Sequence, residues 1–210
     1  MSLPTPLYKL SAVQKQSVYE PAEDTFLLLD AIEKDLQKLR DISPEIVLEI
    51  GCGSGVVSVF LNKALGGNVT SFATDYNPDA LECTKETGRL NDVKIEVVRT
   101  DLDYGFDHLE NKVDILLFNP PYVPTDEEPK NDLERCWAGG PNGRAALDRF
   151  LPRVSRLLSD KGVFYLVALH SNDIPSLLCA CPDLQGVVTM ERRCGIEHLY
   201  IIKYTRKEST

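Results

Sequence analysis

The feature that most constrains the fold is an alternation of short apolar runs with segments of helical periodicity along most of the chain. Residues 46–50 read IVLEI, and an unbroken apolar run extends from Ile115 to Phe118. Between such runs, apolar residues recur at helical spacing, as in residues 23–40. Alternating strands and helices are typical of a parallel sheet that is covered by helices on both faces. The sequence therefore predicts an α/β fold.

The predicted elements divide the chain into strands, helices and one long loop. Strands are predicted at 46–50, 69–74, 95–98, 113–118 and 163–168, and 187–193 with 199–204 should form an antiparallel pair that closes the sheet. Helices are predicted at 23–40, from the glycine turn through residue 65, at 79–90, from about 144 to 158, and at 174–180. Asn77 followed by Pro78 is a strong start for the third helix. The segment 124–136 carries five acidic and two basic residues and is predicted to be an exposed loop.

Length and charge indicate one domain without a nucleic-acid or membrane partner. The 210 residues are enough for a single core, and we assign 19–207 to it, with 1–18 as an N-terminal arm and 208–210 as a C-terminal tail. Within the domain, the loop 123–143 is a candidate for substrate recognition, as are the N-terminal arm and a partner protein. The net charge of −9 disfavours binding to nucleic acid, and no apolar run is long enough to span a bilayer. The six cysteines lack zinc-site spacing, so we expect no metal site and a cytoplasmic or nuclear location.

A glycine turn follows the first predicted strand and indicates a ligand site. The turn reads GCGSG, in which Gly51 and Gly53 let the backbone bend tightly and let a ligand lie against it. Glu49, two residues earlier, would repel a pyrophosphate but suits an ammonium or sulfonium group. The pattern lacks the third glycine of a dinucleotide fingerprint. On its own it is a weak signal.

Two further acids follow the next two predicted strands. Asp75 lies where a carboxylate can accept both hydroxyls of a ribose, and Asp101 could bind an adenine amine with Leu102 against the ring. Each acid could instead be an ordinary turn or helix-entry residue. Ligands of open α/β sheets bind outside the carboxyl ends of the strands, where all three acids should meet. An adenosine with a cationic tail, S-adenosylmethionine, fits them together.

The fourth predicted strand ends in the sequence NPPY, residues 119–122. A plain turn would explain an Asn and two prolines. Alternatively, the Asn119 side-chain oxygen and the Pro120 carbonyl can each accept one N–H of a planar NH₂ group. Prolines 120 and 121 hold the backbone rigid, and Tyr122 can pack against the planar face of the acceptor. Catalysis would then rest on positioning and dipoles rather than on a general base.

These motifs together resemble the HemK-like protein-glutamine N5-methyltransferases over about residues 18–204. The similar segments are VYEPAEDT (18–25), LEIGCGSG (48–55), ATDYNP (73–78), TDL (100–102), NPPY and WAGGPNGRAALDRF (137–150). YEPAEDT together with WAGG resembles the eukaryotic and archaeal branch, which modifies class I translation release factors. The resemblance implies a Rossmann-like class I S-adenosylmethionine-dependent methyltransferase with a seven-stranded, mostly parallel sheet and an antiparallel last strand.

The resemblance also implies an acceptor, a partner and a set of contacts. The methyl group would go to the side-chain nitrogen of the glutamine in the Gly-Gly-Gln motif of the release factor. A small zinc-binding activator subunit would extend the sheet at residues 94–99 to form a heterodimer. Contacts to S-adenosylmethionine would come from Thr25, Glu49, Gly51, Asp75, Asp101, Leu102 and Asn119, and Asn119 would also bind the glutamine amide.

Several alternatives stay open at this point. An adenine-N6 nucleic-acid methyltransferase would use the same NPPY sequence, and a non-catalytic subunit could bind the cofactor without transferring methyl. YEPAEDT could be an ordinary helix start that is capped by Asp24 or Thr25. WAGGPNG could be a flexible loop, with Trp137 as an anchor or a substrate contact. Cys52 is expected to serve packing.

Overall fold

The computed structural model describes residues 3–207, and within that range seven strands form one sheet. The strands are β1 (Ile46–Ile50), β2 (Thr70–Asp75), β3 (Glu96–Arg99), β4 (Val113–Phe118), β5 (Leu158–Leu169), β6 (Leu184–Cys194) and β7 (Glu197–Arg206). Their order is β3-β2-β1-β4-β5-β7-β6, and pairing is parallel from β3 through β5. β7 is antiparallel to both of its neighbours. The predicted mostly parallel sheet with an antiparallel closing pair is confirmed.

Six α-helices accompany the strands in the described range. They are α1 (Glu23–Asp41), α2 (Val56–Ala64), α3 (Pro78–Leu90), α4 (Asp132–Arg135), α5 (Ala145–Leu157) and α6 (Ile174–Leu178). The side chain of Asn77 accepts a hydrogen bond from Asp79 N at 2.9 Å, and Pro78 begins α3. The predicted cap of this helix is therefore confirmed.

Two apolar cores lie on opposite faces of the sheet. Val47 and Ile115 belong to a buried cluster with residues of α1 and α2, such as Leu28. Leu48 and Leu116, one position further along each strand, belong to a second cluster with residues of α5 and α6. Successive residues of a strand point to opposite faces, so both faces of β1 and β4 are apolar. This explains why these strands read as apolar runs.

The structure departs from the predicted elements in several places, and β6 and β7 both extend beyond their predicted bounds. Within the predicted 124–136 loop, the short helix α4 forms because the Asn131 side chain accepts from Glu134 N at 2.9 Å. β5 begins at Leu158, directly after α5, and not at residue 163. Gly162 lets β5 pass close to β4, because a Cβ on residue 162 would lie 2.8 Å from Val113 O. α6 ends at Leu178, two residues earlier than predicted.

The N-terminal segment lies along the helices on one face of the sheet. Leu7 exchanges two hydrogen bonds with the Asn91 side chain, at 3.1 and 2.7 Å, and Ser17 Oγ donates to Asp79 at 2.7 Å. The described part of the predicted arm is thus attached to the domain. Residues 1 and 2 of that arm and the predicted tail 208–210 lie outside the described residues. No helix in the range 3–207 has the length and apolar character needed to cross a membrane.

The turn between β1 and α2 requires glycine at position 55 for two separate reasons. Gly55 has a φ of 77°, and a Cβ on it would lie 2.6 Å from the Cα of Thr84. Gly66 has a φ of 83°, but a Cβ there would meet nothing within 4 Å. Both positions therefore carry the backbone strain, and only Gly55 adds a clash.

We expect Gly55→Ala to lower the free energy of unfolding more than Gly66→Ala does. The left-handed backbone costs either variant about 1–2 kcal/mol. The contact with Thr84 should cost Gly55→Ala roughly 1–3 kcal/mol more. Urea denaturation of the two variants measures this difference directly. Equal losses of stability would show that α3 moves freely away from the turn.

Candidate active site

A cavity of about 810 Å³ lies at the edge of the sheet where β1, β2 and β4 end. The edge contains the point at which strand order reverses, because β1 pairs with β2 on one side and with β4 on the other. Every site residue selected from the sequence lines this cavity: Thr25, Glu49, Gly51, Gly53, Asp75, Asp101, Leu102, Asn119, Pro120, Pro121 and Tyr122. These residues are far apart in the sequence, and the parallel pairing of the strands brings the strand ends to one edge of the sheet.

Glu49 presents a buried carboxylate near the end of β1. It accepts hydrogen bonds from Ser58 at the first turns of α2, one from the backbone N at 3.0 Å and one from the hydroxyl. The pKa of Glu49 is raised to about 8, mainly by burial and also by the nearby Asp75, while the Ser58 hydrogen bonds oppose the shift. Glu49 forms no ion pair among residues 3–207. A cation placed in the cavity would stabilise its ionised form.

Asp75 is held against the glycine turn. Its Oδ2 accepts from Gly53 N at 3.0 Å and its Oδ1 from Asn77 N at 2.9 Å. Burial raises the pKa of Asp75, and these backbone hydrogen bonds oppose the shift. Because each carboxylate oxygen can accept more than one hydrogen bond, both oxygens can still bind hydroxyl groups. The geometry is compatible with the predicted ribose site.

Asp101 has a partner that the sequence did not reveal. Its carboxylate forms an ion pair with Arg149 of α5, and both side chains are more than half exposed. Arg149 also lines the cavity. Leu102 follows with a φ of 53°, a backbone conformation that a leucine rarely adopts. An adenine amine at Asp101 would have to share that carboxylate with the guanidinium.

The NPPY segment is anchored by a carboxylate that sequence reasoning assigned only to helix capping. Asn119 Nδ2 donates to Asp24 Oδ2 at 2.9 Å, and the Tyr122 hydroxyl donates to the same oxygen at 3.0 Å. Asn119 Oδ1 is buried and has no hydrogen-bond partner within the described part of the chain. Burial, reinforced by Asp24, raises the pKa of Tyr122 above its ordinary value. Packing of the Tyr122 ring on an acceptor stays a prediction.

YEPAEDT is more than an ordinary helix start. The N-cap position of α1 is Ala22, so neither Asp24 nor Thr25 is the N-cap residue. Asp24 instead accepts from Thr25 N at 2.7 Å and from the Tyr19 hydroxyl at 3.2 Å. Tyr19 and Asp24 both line the cavity. No local pattern could have shown the contact between Asp24 and Asn119, which are 95 residues apart.

The glycines of WAGGPNG are required by close packing against NPPY. A Cβ on Gly139 would lie 2.6 Å from Pro121 O, and one on Gly143 would clash with Tyr122 O. Val123 N donates to Trp137 O at 2.9 Å, and Gly139 N donates back to Val123 O at 2.8 Å. The glycines therefore make room for this contact, and the hydrogen bonds attach the segment to the NPPY backbone. Trp137 lines the cavity and is partly exposed, and contact of its ring with a substrate stays a prediction.

A buried amide joins this loop to the end of β5. Asn172 is fully buried, and its Nδ2 donates to Tyr122 O at 2.8 Å. The same nitrogen lies 3.2 Å from Asn142 O and 3.3 Å from Gly143 O. Its Oδ1 accepts from Leu169 N at 2.7 Å. Through Asn172 the backbone that follows Asn119 is fixed to the sheet and to the neighbouring loop at once.

Comparison with protein families and with curated proteins identifies relatives along nearly the whole chain. A family model described as the methyltransferase small domain matches residues 21–192. Methyltransferase HEMK2 of Homo sapiens is 48% identical over 194 residues, which cover 90% of each chain. The eRF1 methyltransferase catalytic subunit mtq2 of Schizosaccharomyces pombe is 39% identical, over 93% of this chain and 92% of that protein.

A solved structure supports the same relationship. The Mtq2 chain in the E. cuniculi Mtq2-Trm112 complex is 30% identical to this chain, and the superposition has a TM-score of 0.70. It covers 91% of this chain and 99% of the other. Fold and sequence similarity thus extend together over the sheet, the cavity and the helices.

The buried Glu49 leads to a prediction about stability and pH. Its folded pKa of about 8 lies above the ordinary glutamate value of 4.5, so between these two values the native state holds a proton that the unfolded state has lost. The contribution of Glu49 to the free energy of unfolding is fully present below about pH 4.5 and is lost as the pH rises to about 8. We expect the free energy of unfolding to fall by up to about 1.4 kcal/mol per pH unit across this window from Glu49 alone.

Glu49→Gln removes the titrating group and keeps the hydrogen-bonding shape. We expect the variant to lose that part of the pH dependence, measured by chemical denaturation of ligand-free protein between pH 5 and pH 8. Parallel curves for the variant and the wild-type protein would contradict the raised pKa.

Proposed function

The chain belongs to the HemK-like protein-glutamine methyltransferases, and from this premise we propose that it transfers a methyl group from S-adenosylmethionine to a glutamine side-chain amide of a class I translation release factor. The glutamine would be that of the Gly-Gly-Gln motif. The observation that most directly supports an amide as the methyl acceptor is the state of the Asn119 side chain. Asn119 holds a buried, unpartnered oxygen at the cavity wall, and that atom is suited to accept an N–H of a planar amide.

The residues of the cavity fit S-adenosylmethionine. Glu49 is a buried carboxylate without a cationic partner among residues 3–207, and Asp75 retains acceptor capacity for two hydroxyl groups. When bound, this cofactor would supply an electrophilic methyl group on a sulfonium and would leave as the thioether S-adenosylhomocysteine, while the methylated nitrogen gives up one N–H proton to solvent. The side chains and turn that would hold it are Thr25, Glu49, Gly51, Gly53, Asp75, Asp101, Leu102 and Asn119.

The chain's own contribution to transfer is the orientation of a poor nucleophile. The nitrogen of a primary amide delocalises its lone pair into the carbonyl group. Asn119 Oδ1 and the Pro120 carbonyl can each accept one of its N–H groups, which holds the nitrogen in place and favours its pyramidal geometry. No histidine of the described residues lines the cavity, so positioning and dipoles provide the catalysis. Pro120 and Pro121 keep both acceptors on a rigid backbone.

An adenine-N6 acceptor offers the same NH₂ group but a different environment. Nucleic acid would bring phosphates to a cavity that is lined by Glu128, Asp132 and Glu197 beside Arg135 and Arg149. Repulsion between these carboxylates and the phosphates disfavours such a substrate. A cofactor-binding subunit without activity would have no use for the unpartnered Asn119 oxygen. Both alternatives are separated from the proposal by measuring transfer.

We further propose a small zinc-binding activator subunit at the edge strand β3. The E. cuniculi relative is described in complex with Trm112. In this chain β3 has one neighbour in the sheet, and Val98 on it is 38% exposed. An edge strand with exposed apolar residues is suited to pair with a strand of a second protein. A release factor as substrate also predicts a cytoplasmic location.

Incubation of the protein and its activator with S-adenosylmethionine and release factor should add one methyl group to the glutamine of Gly-Gly-Gln. Mass spectrometry of the digested release factor locates the methyl group. Asn119→Ala should lower kcat by about 100-fold or more, because a transition-state hydrogen bond is lost. DNA and RNA oligonucleotides serve as comparison substrates. Transfer to nucleic acid with none to release factor would refute the proposal.

The partner surface is tested by a matched pair of edge variants. Val98→Lys places a charge on the exposed face of β3, and Val188→Lys does the same on β6, where Val188 is 39% exposed. We expect Val98→Lys to weaken binding of the activator by about tenfold or more, or about 1.4 kcal/mol, and Val188→Lys to leave it unchanged. Titration calorimetry measures both. Equal binding by the two variants would place the partner elsewhere.

A further inference from the structure

The carboxylate of Asp24 is the centre of a buried cluster of hydrogen-bond donors beside the cavity. Asp24 is 3% exposed, and no Lys or Arg of the described residues forms an ion pair with it. The donors to Oδ1 are the Tyr19 hydroxyl, Thr25 N and Thr25 Oγ1, and those to Oδ2 are Asn119 Nδ2 and the Tyr122 hydroxyl. A buried carboxylate of this kind is costly unless its oxygens are satisfied, and here neutral donors satisfy them.

This arrangement fixes which end of the Asn119 amide faces which way. A carboxylate only accepts hydrogen bonds, so the NH₂ end of Asn119 must point toward Asp24. The amide is planar, and its oxygen therefore lies on the side away from Asp24. That oxygen is the buried atom without a partner. The Tyr122 hydroxyl donates to the same Asp24 oxygen and limits its movement.

We propose that Asp24 is a positioning residue for the proposed methyl transfer, on which this inference rests. It locks the Asn119 amide so that an acceptor, and not a donor, meets the substrate NH₂ group. With the amide rotated by half a turn, the NH₂ of Asn119 would meet the NH₂ of the substrate, and two donors would oppose each other. Asp24 thereby makes the site selective for methyl-accepting groups that carry two N–H bonds.

The first test is Asp24→Asn, which keeps the shape of the side chain. The amide at position 24 can present either end to Asn119, so the orientation of Asn119 is no longer enforced. We expect kcat for methyl transfer to fall by about 10- to 100-fold, while binding of S-adenosylhomocysteine changes little. Asp35→Asn is the matched control. Asp35 is also a buried carboxylate on α1 and accepts the Tyr165 hydroxyl at 2.8 Å, but it forms an ion pair with Lys203 and does not line the cavity.

A reciprocal exchange separates positioning from a general structural role. Asn119→Asp alone would place a second carboxylate against Asp24, where Asn119 Nδ2 now donates a hydrogen bond. In the double variant Asp24→Asn with Asn119→Asp, the amide at position 24 donates to the carboxylate at 119 and leaves an oxygen free to accept. We expect the double variant to have a higher kcat than either single variant. A double variant no better than the worse single one, or an unchanged kcat in Asp24→Asn, would overturn the inference.

A readout without substrate distinguishes failure of this inference from failure of the proposed function. The side-chain NH₂ protons of Asn119, observed by ¹⁵N NMR, should be protected from exchange in the wild-type protein and in Asp35→Asn. They should lose protection in Asp24→Asn. If the Asn119 protons are protected but no methyl group is transferred to release factor, the proposed substrate is refuted and the fixed orientation of the amide is supported. Rapid exchange in the wild-type protein would refute the lock itself.

Discussion

Parallel pairing of β1 with both β2 and β4 is the constraint on which the site depends. Parallel strands end at the same edge, and the reversal of order at β1 opens a gap there because the following segments leave toward opposite faces. Glu49 near the end of β1, Asp75 at the end of β2 and Asn119 just after β4 are thereby brought to one cavity. The apolar residues that bury both faces of these strands are therefore also what positions the polar ones.

The acids closest to the sheet are stabilised by dipoles and not by cations. Asp24, Glu49 and Asp75 accept hydrogen bonds from hydroxyl, amide and backbone N–H groups, and within residues 3–207 none of the three has a Lys or Arg partner. Within these residues no cation therefore competes with a cationic ligand for the three groups. Asp101, further out and exposed, is paired with Arg149 instead.

The sequence predicted the sheet well because its strands carry their own signals. The apolar run that ends in NPPY gave β4 with the bounds that the structure has, and Asn77 with Pro78 gave the start of α3. The acids at strand ends were recognised because strand order in an α/β sheet determines which ends meet. What was missed depends on pairs of residues that are distant in the chain. The contacts of Asp24 with Asn119 and of Gly143 with Tyr122 arise only from packing, and no local pattern encodes them.

The contact between the 137–143 segment and the NPPY backbone has a consequence for redesign of acceptor preference. Backbone hydrogen bonds at Val123 and the side chain of Asn172 join the two segments, so a change of length in one displaces the other. A new preference for the methyl acceptor should therefore be engineered in residues 126–135, which do not take part in these hydrogen bonds and are mostly exposed. Insertions closer to Gly139 would shift the reaction geometry before they could alter recognition.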